Sequence, residues 1–270
     1  MNGVKGMKGM ISSLHPLHPL HPLQNNMSLR SYRSFQALVL AAIGIFLLEK
    51  IWSGTLFWYI NQRYLILIFA TGIGFLALAQ TILASRQKKD EHADHDHHHK
   101  QTYSRWNLVI IALPVILGVI IPQRPLGTAA IANKGMNTNA PLTVNGAATS
   151  LELASTDRTV LDWIRAYNYE SDVTKFDGQK ANVIGFVYHD SRLAKDEFLV
   201  GRFALNCCVA DATAIGMIVK SEKSASFADN SWVRVAGTVS AAEIDGKKIP
   251  SITAEEIDKV SEPEQPYLYP

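Results

Sequence analysis

The sequence predicts a membrane protein of two unlike parts: three transmembrane α-helices, then a C-terminal all-β domain built as a small OB-like barrel. Three observations predict it. Of 270 residues, 47% are apolar and only 19% charged. The apolar residues gather in three long runs between 35 and 121. From 181 onward, apolar and polar residues instead alternate, the mark of strands with one buried face. A net charge of +2 offers no clustered basic face, so nucleic acid is not an expected partner.

Spanning a hydrocarbon core of about 30 Å at about 1.5 Å per residue takes around 20 apolar residues. The clearest run, Tyr64 to Ala84, carries no charge and stops at Arg86, Lys88 and Lys89. The first runs from Phe35 to Trp52, with Glu49 and Lys50 at its end and Trp52, Trp58, Tyr59 and Tyr64 behind it. Such aromatics suit a membrane–water interface. Glu49 and Lys50 fit either a buried functional pair or, more simply, an interfacial pair with a snorkelling lysine. The third run, Trp106 to Ile121, is short and contains Pro114, which predicts a kink. Local thinning of the bilayer, or a homo-oligomer, would accommodate its length.

Basic residues near the spans set orientation. Lys5, Lys8, Arg30 and Arg33 precede the first span, and only Lys50 and Arg63 lie between the first and second. Arg86, Lys88, Lys89, Lys100 and Arg105 separate the second and third, and Arg124 and Lys134 follow. The alternation predicts a multi-pass cell-membrane protein with a cytoplasmic N-terminus and an extracytoplasmic C-terminal domain.

Residues 1–34 read as a disordered leader. His-Pro-Leu repeats three times from His15 to Leu23, and proline every third residue excludes an ordinary helix. Met27, ahead of Ser-Leu-Arg-Ser-Tyr-Arg, would make a natural start for a basic-flanked first span. In the loop 90–100, His92, His95, His97, His98 and His99 alternate with carboxylates. Imidazole and carboxylate both ligate divalent transition metals, so the loop is a candidate metal-holding segment, against the plainer reading of a solvated polar loop.

Residues 122–155 read as a linker, rich in Gly, Ala, Asn and Thr. The soluble domain is expected over 156–262, with a tail at 263–270. It opens with an amphipathic helix carrying Val160, Leu161, Trp163, Ile164 and Tyr167, for which Thr156 or Asp157 would be the N-cap. Five strands are expected at Ala181–Tyr188, Glu197–Asn206, Ala214–Val219, Trp232–Ser240 and within Ile249–Val260. Asp245-Gly246 is a hairpin turn. Gly185, Gly201 and Gly237 mark bulges or bends, as a small barrel requires, with a sandwich as the alternative.

Asn206-Cys207-Cys208-Val209-Ala210-Asp211-Ala212 is the most specific chemistry on the chain. Neighbouring side chains of a regular strand point to opposite faces, so both thiols reach one ion only where the strand ends or bulges. Cys207, Cys208 and Asp211 are candidate ligands for zinc or another soft or borderline transition metal, and His189 a conceivable fourth. Two other readings compete: Cys207 packing inward as a small hydrophobe, and a vicinal disulfide. Consecutive Cα atoms lie about 3.8 Å apart, below the usual disulfide range of about 4.4 to 6.8 Å, so that bond would be strained. No GxSxG, HExxH, phosphate loop or dinucleotide-binding glycine pattern occurs, and an enzyme is not expected.

Asp162-Trp163-Ile164, Phe176-Asp177-Gly178, the run from Gly201-Arg202-Phe203 to Asp211-Ala212, Trp232 to Gly237 and Pro266-Tyr267-Leu268, behind three spans, resemble the YcgQ-type bacterial membrane proteins. The likeness covers about residues 30 to 270. It implies an accessory, non-catalytic subunit accompanying a multi-span permease. The histidine loop and the His-Pro-Leu leader fall outside that pattern. The alternative expectation is a membrane-anchored thiol redox or metal-delivery factor cycling Cys207 and Cys208.

Overall fold

A computed structural model of the chain describes residues 29–85, 105–136, 147–244 and 246–270. Residues 1–28 of the expected leader, Met27 among them, and the histidine loop with His92, His95, His97, His98 and His99 lie outside the described residues, whereas 29–34, expected as disordered leader, are helical.

Two long apolar helices, α1 (Leu29–Trp52) and α2 (Leu65–Ala84), are joined by a turn containing two short 3-10 segments. Both are long and apolar enough to cross a membrane. They meet at glycines: a Cβ on Gly44 would lie 2.8 Å from the Gly72 carbonyl oxygen. Small residues at such crossings let helix backbones approach where no hydrophobic effect drives association. A third apolar helix, α3 (Arg105–Ile120), contains Pro114 and is shorter, about 24 Å at the usual rise. It packs on α1 with Gly118 against the Phe46 ring. Lys50 lies over that same ring at 5.2 Å and pairs with Glu49 at 2.8 Å.

Past α3 the chain forms two short helices, α4 (Thr128–Lys134) and α5 (Ala147–Glu152), then α6 (Val160–Tyr169). The N-cap of α6 is Thr159, not Thr156 or Asp157. Its hydroxyl accepts from the Asp162 amide, while the Asp162 carboxylate accepts from the Thr159 amide, a reciprocal capping box. Asp157 belongs to a separate 3-10 turn, Ser155–Asp157. The apolar stripe of α6 is buried as its spacing requires, and Arg158 stacks on the Trp163 ring at 4.9 Å.

A mixed β domain follows, made of β1 (Lys180–Tyr188), β2 (Glu197–Ala204), β3 (Thr213–Lys220), β4 (Trp232–Ile244), β5 (Lys247–Lys259) and β6 (Tyr267–Leu268). The pairing order is β1-β4-β5-β3-β2-β6, and β1 also pairs with β2, so the circuit of the first five strands returns to its start. All pairs are antiparallel except β3–β5 and β2–β6. The β4–β5 register shifts between Ala236 and Gly237, a bulge. One face of the sheet and α6 share a core that includes Trp163, Phe198, Val200, Met217, Val235 and Ile252. The other face is covered too: Phe186, Phe203 and Ala214 pack with Ile131 of α4 and Tyr267 of β6. That second cover explains why β2 is buried almost continuously rather than at alternate positions.

Candidate functional site

The Cys-Cys segment lies just past β2, where the sheet meets the α1–α2 turn. Cys208 is extended (φ −156°, ψ 173°), and Val209–Asp211 then curls into one 3-10 turn. This short reversal makes Asp211 face back along the chain. Its carboxylate accepts from the Asn206 amide at 3.2 Å and from the Cys207 amide at 2.7 Å. An acid at this place therefore holds the turn shut, as Asx-type side chains do for backbone donors.

Both cysteines are free; Cys207 is exposed and Cys208 half-buried, with 3.7 Å between their sulfurs. The Asp211 carboxylate accepts from the Cys207 thiol, and with help from Cys208 this pushes the thiol up to about 11. Partial burial pulls the Asp211 carboxyl upward, but hydrogen bonds from the Cys207 thiol and from the Cys207, Asn206 and Cys208 amides outweigh it and leave the group below its ordinary range. Cys207 is thus protonated near neutrality and slow as a nucleophile, since only thiolates attack or ligate.

The same segment is hydrogen-bonded to the membrane part. Ile60 and Cys208 form an antiparallel bridge: the Asn61 amide donates to the Cys207 carbonyl at 3.0 Å, and the Val209 amide donates to the Tyr59 carbonyl at 2.8 Å. The buried Asn61 side chain adds bonds to the carbonyls of Asn206 (2.9 Å) and Leu205 (3.4 Å). The chain's last residues make a second tie. Arg63 donates to the Pro270 carbonyl at 3.0 Å and Tyr269 to the Phe57 carbonyl at 3.4 Å, while the Leu126 amide donates to the Tyr267 hydroxyl at 2.7 Å. Arg202 anchors this tail from the side of the β domain. Its guanidinium bonds the carbonyls of Ile184 (3.3 Å) and Gln265 (2.9 Å) and stacks on Trp232 at 5.1 Å. Burial lowers Arg202 to about 10, against the opposing pull of Glu262 and Tyr269, and it stays charged at neutral pH.

His189 sits elsewhere. It follows Tyr188, which pairs with Leu199 near the start of β2, whereas Cys207 lies beyond the other end of that strand. Its Nδ1 lies 2.8 Å from an Asp229 carboxylate oxygen. Among the described residues, no group of three or more His, Cys, Asp or Glu side chains is disposed to hold a metal ion. Cys207, Cys208 and Asp211 come together, but the carboxylate is already occupied by backbone donors. The α1–α2 turn was not singled out in the sequence, and Arg202 and the tail entered only through the resemblance; their role at this junction escaped because long-range hydrogen bonds to carbonyls leave no trace in periodicity.

Two family models match, and together they run through both parts of the molecule: the DUF1980 N-terminal domain over residues 35–137 and the DUF1980 C-terminal domain over residues 131–270. The chain belongs to the DUF1980 family. Curated relatives are similar along most of their length. UPF0703 protein YcgQ of Bacillus subtilis (strain 168) is 25% identical, covering 87% of this chain and 99% of that one. A Streptococcus mutans serotype c protein, named as a proposed two-component membrane permease complex subunit, is 24% identical over 80% of this chain and 92% of its own. A small single-stranded DNA-binding protein from Streptomyces coelicolor, 16% identical, covers 31% of this chain and 94% of its own at a TM-score of 0.21, too low to support any argument. Within DUF1980, the junction described above joins the regions matched by the two models.

Proposed function

We propose that this DUF1980 protein is a non-catalytic accessory subunit of a membrane permease complex, with its β domain held against its own membrane helices. The observation that carries the reading is the Asn61–Cys207 junction. It fastens the soluble domain at one end of the apolar helices, where a partner's spans and loops would be met together. The streptococcal relative's name supplies the partner class: a membrane permease component. Two spans of full length, with α3 as a third, are few for the repeat-built architecture of transporters that act alone.

On this reading α3 spans with local thinning, the β domain lies outside the cytoplasm, and the closed circuit β1–β2–β3–β5–β4 is an OB-like barrel. The return pairing of β1 with β2, the parallel β3–β5 pair and the bulge at Gly237 all favour a small Greek-key barrel over a sandwich.

The test is chemical crosslinking in native membranes, followed by purification of the full chain in mild detergent. A single multi-span membrane protein at fixed ratio, crosslinked to α2, α3 or the β domain, is expected. A chain recovered alone or only with copies of itself would overturn the subunit reading.

A further inference from the structure

We propose that Cys207 and Cys208 form a redox-sensitive clasp: oxidation to a vicinal disulfide loosens the bond between the β domain and the α1–α2 turn. The inference goes beyond the permease reading and does not depend on which partner is bound.

Three observations carry it. The two thiols are free and their sulfurs are 3.7 Å apart, with Cys207 open to solvent. The peptide unit between them carries the Cys207 carbonyl, which accepts from Asn61, and the next amide along, Val209, donates to Tyr59. Cys208 is extended, φ −156° and ψ 173°. A disulfide needs the sulfurs at about 2.05 Å, and neighbouring Cα atoms stand about 3.8 Å apart, closer than disulfides ordinarily bridge. The bond can therefore close only by twisting the Cys207–Cys208 backbone out of its extended form. That backbone is what the α1–α2 turn holds, so ring closure and docking compete for one stretch of chain.

The oxidant is a small-molecule disulfide. A thiolate of the pair attacks one of its sulfurs, giving a mixed disulfide and releasing one small thiol. The second cysteine then attacks the mixed disulfide, forming the Cys207–Cys208 bond and releasing the second small thiol. Two protons and two electrons leave the cysteines, and the oxidant's sulfur–sulfur bond is reduced. The Asp211 carboxylate, which accepts from the Cys207 thiol, restrains the reaction near neutral pH and sets it to respond to sustained oxidising conditions.

The test treats the full-length protein in detergent or nanodiscs with excess oxidised glutathione, then with dithiothreitol. Intact mass should fall by two hydrogens with loss of both free thiols and no retained glutathione. Amide hydrogen exchange at Asn61 and Val209, whose amides cross the junction, should accelerate about tenfold, as loss of one hydrogen bond's net contribution would give, and return on reduction. Exchange in the α6 core serves as the internal reference for intact folding. A stable glutathione adduct, or no reaction, would overturn the vicinal disulfide. A disulfide that forms without altering exchange at Asn61 and Val209 would overturn the clasp. Cys207→Ser and Cys208→Ser should each stop at a glutathione adduct, with the exchange pattern of the reduced protein.

Discussion

Asp211 shows how one side chain can serve both structure and reactivity. It closes the turn by accepting from two amides and, as a charge beside a thiol, keeps the Cys207 proton in place. Asp211→Asn removes the charge, so the thiol of Cys207 falls toward its ordinary value and the thiolate fraction at pH 8 rises, tenfold for each unit. Maleimide labelling of Cys207, resolved from Cys208 by fragment mass spectra, should speed up accordingly; an unchanged rate would mean that Asp211 does not govern the thiol. Because the Asp211 carboxyl titrates below its unfolded value, what it adds to the junction is fully present above the ordinary carboxylate range. That contribution is lost as pH falls through the lowered folded value. Protection of the Cys207 amide, measured relative to its intrinsic exchange rate, should hold through mild acid, fall only below the ordinary carboxylate range, and lose that pH dependence in Asp211→Asn. The acidic residue four places after Cys207 was legible as a partner for the thiols. Its use as a backbone acceptor was not, since nothing in a spacing says which way a carboxylate turns.

The elements themselves were readable where one face meets water. β1 and β4 alternate between buried and more exposed positions, and their limits follow the expected strands closely at the N-terminal ends. β4 and β5 run longer than expected because their hairpin extends past the core. β2 and its neighbour β3 are buried on both faces, so periodicity alone says little about them. β6 is only two residues long and has no period to detect. α4 lies in Gly- and Ala-rich chain and is held by packing of Ile131, not by a pattern. At this scale the close approach of β1 to β2 is decisive. A Cβ on Gly185 would stand 2.5 Å from the Gly201 carbonyl and 2.9 Å from a Val200 methyl. Gly185→Ala should cost about 1–3 kcal/mol, the usual penalty for forcing atoms into a packed site. Gly246 also differs from ordinary residues, with φ 76°, but has open space around it. Gly246→Asn, which tolerates the left-handed region, should cost only a few tenths of a kcal/mol. Chemical denaturation of the two variants side by side checks the contrast, and equal losses would refute the account of ring closure.

For the whole molecule, two apolar helices long enough to cross a membrane and a C-terminal β domain were both legible in the sequence, but their connection was invisible. Residues 122–155 looked like a tether, and nothing in Ile60-Asn61-Gln62 marks it as the seat of a domain 145 residues away. Asn61→Ala removes the two bonds its side-chain amide donates across the junction, and the acceptor for the Arg63 amide, while leaving the backbone bridge able to form. It should raise exchange at Asn206–Val209 several-fold and increase protease sensitivity at the junction, with little change in the α6 core. If exchange at the junction stays as it was, the side chain of Asn61 is not what holds the domain. The tail deepens the same point. Arg63 and Pro270 are separated by 207 positions, and β6 reaches β2 only from the far end of the chain. Closing a loop of that length costs chain entropy that only a folded intervening chain can offset, so these contacts form cheaply only once the β domain is already in place. The α1–α2 turn thus works as a sensor of the distant chain: any change that loosens the β domain is felt at Asn61 and Arg63 as a lost hydrogen bond.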